Sequence, residues 1–205
     1  MSNFDAAFAR LPLVAILRGL RPDEAEGIGA VLYDAGFRLI EVPLNSPDPY
    51  DSIGRLARSL PPDAVLGAGT VLETAAVARV RDAGGQLIVM PHADLDVIRA
   101  AKAAGMYCVP GVATPTEAFA ARHAGADALK LFPAELVTPA IVRAMRAVLP
   151  ADLRLLPVGG ITPHNMGEYR AAGVAGFGLG SALYKPGMDK AAVAANARAF
   201  VDAWR

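Results

Sequence analysis

The chain alternates short, continuously apolar runs with longer segments in which apolar residues recur at helical spacing. The runs are PLVAILR (12–18), FRLIEVPL (37–44), AVLGAGT (64–70), QLIVM (86–90), MYCVP (106–110), DALKLF (127–132), LRLLPVGG (153–160) and VAGFGLG (174–180), eight in all. Runs that are apolar throughout, rather than at every second position, mark strands covered on both faces, as parallel strands are. Successive runs begin 20 to 27 residues apart, which leaves room for one strand and one helix in each repeat.

Local punctuation agrees with that alternation. Pro22-Asp23-Glu24, Thr74, Pro115-Thr116-Glu117 and Pro163-His164-Asn165 read as helix starts, where proline is tolerated because first-turn N–H groups have no partner inside the helix. Gly36, Gly84, Gly105, Gly125 and Gly173 each close an alanine-rich segment and predict left-handed helix caps. Eight βα units without a linker or a composition break predict one domain over 1–205, an α/β fold of the (β/α)8 TIM-barrel type with a parallel eight-stranded barrel. Residues 2–10 are expected to form a short N-terminal helix over the barrel bottom. An open doubly wound sheet is the structural rival, and even spacing favours closure.

Composition narrows the function classes. The 205 residues carry 20 Lys+Arg and 20 Asp+Glu, so no basic excess points to nucleic acid. No apolar run approaches the roughly 20 residues of a membrane span, and the N-terminus lacks the pattern of a signal peptide. A soluble, cytoplasmic protein without nucleic-acid or membrane partners is the expectation. The single cysteine, Cys108, excludes an internal disulfide and reads as a small core residue. His92, His123 and His164 stand far apart and lack metal-ligand spacing, so no metal site is expected from them. The arginines of 143–154 read as a solvated helix face.

In a barrel of this kind, chemistry gathers where strands end and βα loops begin. Lys130 stands inside the apolar run DALKLF, and Glu41 inside LIEVPL. A desolvated lysine has a lowered pKa and, as a neutral amine, can form a Schiff base with a carbonyl. A nearby carboxylate can then shuttle protons. The bland alternative is a structural ion pair, which by itself stabilises poorly. The last two units carry VGGIT (158–162) and GLGSA (178–182), and glycine pairs there suit a phosphate site built from backbone N–H groups and a helix N-terminus. The residues alone leave three readings open. They are an imine-forming aldolase, a phosphosugar isomerase or epimerase using Glu41 as base, and a non-catalytic phosphosugar-binding protein; a metal-dependent aldolase is a fourth, which the scattered histidines disfavour.

The motifs ILRG (16–19), IEVPLNSP (40–47), GAGTVL (67–72), PGVATPTE (110–117), ALKLFPAE (128–135) and VGGITPHN (158–165) closely resemble the 2-keto-3-deoxy-6-phosphogluconate and 6-phosphogalactonate aldolase family over nearly the whole chain. The resemblance implies a class I aldolase, without metal or other cofactor, assembled as a homotrimer. It gives Lys130 the imine and Glu41 the proton transfers. It also implies that Arg18 and Thr70 contact the pyruvyl carboxylate or nearby hydroxyls, and that Gly159, Gly160, Gly180 and Ser181 hold the phosphate. Asn45 and Val158 match the galactonate branch, whereas the gluconate branch tends to carry an arginine and a threonine there. Valine cannot hydrogen-bond the hydroxyl at which the two substrates differ. The implied reaction is cleavage of 2-dehydro-3-deoxy-6-phospho-D-galactonate, a phosphorylated keto-deoxy sugar acid, to pyruvate and D-glyceraldehyde 3-phosphate.

Overall fold

A computed structural model describes residues 2–205. After helix α1 (Asn3–Arg10), strands and helices alternate: β1 (Leu13–Ile16), α2 (Pro22–Asp34), β2 (Leu39–Pro43), α3 (Pro49–Ser59), β3 (Val65–Gly69), α4 (Thr74–Asp82), β4 (Leu87–Val89) and α5 (Leu95–Ala103). The fifth run forms β5 (Tyr107–Val109) and β6 (Gly111–Val112), followed by α6 (Pro115–His123), β7 (Leu129–Leu131), α7 (Pro139–Arg146), β8 (Leu155–Pro157), α8 (Met166–Ala171), β9 (Phe177–Leu179) and α9 (Lys190–Trp204). All strand pairs are parallel. One ladder runs β5-β4-β3-β2-β1-β9 and the other β6-β7-β8.

The two ladders are one closed barrel. β5 and β6 are a single stave interrupted at Pro110, which has no N–H to give to a ladder. Its carbonyl still accepts from Lys130 N at 2.9 Å. The other seam is closed by a parallel bridge between Val158 and Gly178. This is the (β/α)8 barrel that the eight runs predict.

Strand periodicity sorts side chains between two cores. Val14, Leu39, Val65, Leu87, Val109, Ala128 and Leu156 form an inner cluster with Phe4, Ala7 and Phe8 of α1, which stoppers the N-terminal end of the barrel. Residues of opposite parity, such as Leu13, Ala15, Ile40 and Leu129, join the outer layer with Leu32, Ile53, Val77 and Phe200 of the helices. Two residues further along three inward-facing rows stand Ile16 after Val14, Glu41 after Leu39 and Lys130 after Ala128. The same alternation that fills the bottom with hydrocarbon therefore puts a carboxylate and an amine inside the top.

Helix ends follow the sequence, and one reading nearby needs correction. The five capping glycines have φ of 111°, 93°, 73°, 103° and 94° for Gly36, Gly84, Gly105, Gly125 and Gly173, and Thr114 with Glu117 forms a capping box on α6. Pro163-His164-Asn165 leads into α8, with Asn165 as its N-cap. Asn165 Oδ1 accepts from Thr162 N and its Nδ2 donates to Gly160 O, both at 2.9 Å, closing a turn before α8. The arginines of 143–154 are more than a solvated face. Arg146 donates to the carbonyls of Gly173, Pro150 and Leu153. Arg154 binds Asp5 at 2.8 Å and lies over Phe8, fastening α1 to the barrel.

Candidate active site

Glu41 and Lys130 come from strands on different sides of the barrel. The register pairs Glu41 with Ile16 and Gly67, and Lys130 with Gly111 and Leu156. Both are almost fully enclosed, Glu41 at 1% and Lys130 at 6% exposure. Together with Ile16, Val89, Val109 and Val158 they line a small enclosed space in the upper barrel. A side chain on Gly69 would collide with the Glu41 carboxylate, so glycine there makes room for it. Glu41 Oε2 is buried without a hydrogen-bond partner among the described residues.

Burial sets the electrostatics. It pushes the Glu41 carboxyl up to about 7, against the downward pull of Lys130 and Arg18. Burial also lowers the pKa of the Lys130 ammonium, which Glu41 opposes and Arg18 reinforces. Phe132 adds a ring face 4.5 Å from Lys130 Nζ. A base near neutrality thus sits beside an amine shifted toward its neutral, nucleophilic form.

Above this space opens a cavity of about 440 Å³ lined by Arg18, Lys130, Val158, Gly159, Gly160, Gly180 and Ser181, seven of the nine residues singled out in the sequence. Glu41 lies beneath it. Thr70 does not reach it. With a left-handed φ of 55° just after Gly69, Thr70 lines an adjoining open groove with Asn45, Tyr50 and Arg79. That groove is wider, about 770 Å³, but contains neither Glu41 nor Lys130.

The glycine loops present unused donors. The N–H groups of Gly159, Gly160, Ser181 and Ala182 make no backbone hydrogen bond among the described residues. Gly159 and Gly160 have φ of 109° and 60°, and a side chain on Gly159 would collide with the Glu135 carboxylate packed against it. No regular helix begins at either glycine pair, contrary to the expectation of a helix N-terminus there. α8 starts only at Met166 and α9 at Lys190. A single turn instead carries Tyr184 N to Gly180 O at 3.0 Å and aligns the Ser181 and Ala182 donors.

The sequence reading missed Thr162, Tyr184, Lys185 and Pro186, which complete the cavity wall. Lys185 makes no ion pair among the described residues. Its signal in the sequence was a lone cation in SALYKPG, just after the second glycine pair. His92, His123 and His164 are exposed and line neither space. Among the described residues no group of three or more His, Cys, Asp or Glu is placed to hold a metal ion. Cys108 is buried, and burial raises its thiol to about 12, which leaves it unreactive. No helix of the described residues is long and apolar enough to cross a membrane.

Comparison with known proteins agrees with this geometry. The family model for KDPG and KHG aldolase matches residues 4–197. The chain is 53% identical to a probable 2-dehydro-3-deoxy-6-phosphogalactonate aldolase of Rhizobium meliloti (strain 1021), over 87% of this chain and 84% of that one. It is 48% identical to the 2-dehydro-3-deoxy-6-phosphogalactonate aldolase of Escherichia coli (strain K12), over 96% of each chain. Identity to the KHG/KDPG aldolase of the same bacterium is 31%, over 78% of this chain and 75% of that one. A solved native KDPGal structure superposes with a TM-score of 0.93 at 47% identity, covering 95% of both chains. The fold is shared with these relatives, and the chain belongs to the KDPG and KHG aldolase family.

Proposed function

We propose that the protein is a class I aldolase that cleaves 2-dehydro-3-deoxy-6-phospho-D-galactonate to pyruvate and D-glyceraldehyde 3-phosphate. The observation that carries the reading is the enclosed pair of Glu41, pushed up to about 7, and Lys130, lowered by burial, directly beneath a cavity with one arginine and two glycine loops. The galactonate substrate is supported by the higher identity to the galactonate enzyme than to the KHG/KDPG enzyme within one bacterium.

Neutral Lys130 Nζ attacks the C2 ketone. Glu41 supplies the proton that lets hydroxide leave the carbinolamine as water, giving a protonated imine. The imine then accepts the electrons of the C3–C4 bond while Glu41 takes the C4 hydroxyl proton. Glyceraldehyde 3-phosphate departs, the enamine is protonated at C3, and hydrolysis releases pyruvate and free lysine. Protons taken up and given back balance over the cycle. No metal or cofactor is needed, because the imine itself is the electron sink.

Arg18 holds the pyruvyl carboxylate, since guanidinium binds carboxylate through paired N–H donors. The N–H groups of Gly159, Gly160 and Ser181 hold the phosphate, with Gly180 opening the approach and Lys185 adding charge. Thr70, on the neighbouring groove, keeps the role that the family resemblance gives it, a contact with the pyruvyl carboxylate or a nearby hydroxyl. Fixing both ends of the substrate brings C2 to Lys130, and such orientation supplies much of the rate in reactions of this kind.

A cytoplasmic homotrimer belongs to the same proposal. Exposed Leu72, Leu136, Ile141 and Val148 offer apolar surface for subunit contacts, and the lone buried cysteine asks for no oxidising compartment. Light scattering on the purified protein reads the assembly directly. The chemical test is to incubate the protein with pyruvate and borohydride and locate the adduct by peptide mass spectrometry. A single adduct at Lys130 is expected. Folded protein without an adduct sinks the imine mechanism.

A further inference from the structure

Arg18 stands exposed on the loop between β1 and α2 and makes no ion pair among the described residues. Its side-chain hydrogen bond goes to a neutral acceptor, Arg18 Nη1 to Asn45 Oδ1 at 2.7 Å. The contact spans 27 residues of sequence and joins the loops after β1 and β2. The next residue in each loop repeats it, with Gly19 N donating to the buried Ser46 Oγ at 2.9 Å. On its other side Gly19 lies against Pro186, where a side chain would meet the proline ring. The loop bearing Arg18 is therefore gripped from both flanks.

Asn45 does not line the cavity that Arg18 lines; it lines the adjoining groove and holds the guanidinium through that one bond. An amide oxygen fixes a guanidinium by one hydrogen bond while leaving its charge and its other N–H donors unspent. An aspartate of the same shape would hold it too, but would pair with it and compete with any incoming carboxylate.

We propose that Asn45 is a positioning residue that aims Arg18 at the pyruvyl carboxylate, and that its neutrality keeps the guanidinium available to substrate. The proposal rests on the reading of Arg18 given above. It is tested by borohydride trapping with pyruvate, and with acetone as a ketone that has no carboxylate. Asn45→Ala should raise the pyruvate concentration for half-maximal trapping about 3- to 10-fold, the effect of losing one hydrogen bond. Asn45→Asp, though isosteric, should raise it further, at least about tenfold, because the new carboxylate occupies Arg18. Acetone trapping should be unchanged in both variants, which a general loosening of the barrel would not allow. In an Arg18→Ala background neither Asn45 substitution should add to the loss. Wild-type pyruvate dependence in Asn45→Asp, with Arg18→Ala impaired, overturns the role of Asn45 alone. Wild-type pyruvate dependence in Arg18→Ala overturns the carboxylate reading beneath it.

Discussion

Glu41 and Lys130 line one enclosed space at the top of the barrel, yet no ion pair joins them, and Glu41 Oε2 is buried without a hydrogen-bond partner among the described residues. An unsatisfied buried polar atom costs about 1–3 kcal/mol, more when it carries charge. The barrel bottom, filled with Val14, Leu39, Val65 and Leu156, shows the packing this interior adopts where stability alone is served. The upper pair departs from that packing in favour of reactivity.

Lys130→Met tests the departure. Methionine fills a similar volume without an amine, so the melting temperature should equal or exceed that of the wild type. Aldol cleavage should fall at least about 10³-fold, as expected when a covalent nucleophile is removed. Removing the lysine also removes the largest influence holding the Glu41 pKa down, so that carboxyl should titrate above about 7 in the variant. Carbon-13 NMR of labelled glutamate reads that shift, and an unshifted or lower pKa would contradict the coupling.

Glu41 predicts two pH dependences. In the proposed mechanism Glu41 must be ionised to take the C4 hydroxyl proton once the imine has formed. The carbon–carbon cleavage step, read in single turnover from the preformed imine, should therefore rise with pH through about 7. Stability should run the other way. Folding raises this carboxyl from its ordinary 4.5 to about 7, so the folded state favours the protonated form. That contribution is fully present below about 4.5 and is lost as pH rises through about 7. Glu41→Gln, which cannot ionise, should therefore gain in melting temperature relative to the wild type as pH climbs across this window. A difference that stays constant with pH would place the titration elsewhere.

Most of the fold was legible because strand and helix signals in this chain are local. Continuous apolar runs, prolines in first turns and glycines at helix ends each act within a few residues; the runs recur in every unit and the other two in about half of them. Pro163-His164-Asn165 was placed for the same reason, with Asn165 capping α8 one residue before Met166. What depends on partners far along the chain was not legible. The site divides in the same way. Lys130 and Glu41 stand out because a charge inside an apolar strand is locally anomalous. Lys185 and Pro186 escaped because their loop looks like any polar connection until the barrel closes. Arg154 was misjudged because its partners, Asp5 and Phe8, lie at the other end of the chain.

Gly69 carries a prediction that the sequence alone did not suggest. A methyl group there would overlap the Glu41 carboxylate, so Gly69→Ala must displace the proton-transfer group without altering it chemically. A shift of about 1 Å in a catalytic group costs on the order of 10²-fold in rate. Cleavage by Gly69→Ala should fall by about that factor, while pyruvate adduct formation at Lys130, tested at long incubation, persists. Wild-type turnover would show that the carboxylate has room to retreat, and that its position is less fixed than its burial implies.

Val158 is the proposed determinant of epimer preference. It is 7% exposed, lines the cavity beside Lys130, and packs against Gly178, where any side chain would meet its methyl groups. Threonine keeps this branched shape and exchanges one methyl for a hydroxyl, so Val158→Thr should enter the same space with only a modest loss of stability. The new hydroxyl can bond a substrate hydroxyl of the right configuration, whereas valine offers nothing to either epimer. The ratio of kcat/KM for the gluconate epimer to that for the galactonate epimer should rise about tenfold, the scale of one added hydrogen bond. Trapping with pyruvate, which lacks that hydroxyl, should be unaffected. An unchanged ratio in a folded, pyruvate-competent variant would move the discrimination from Val158 to another part of the cavity wall.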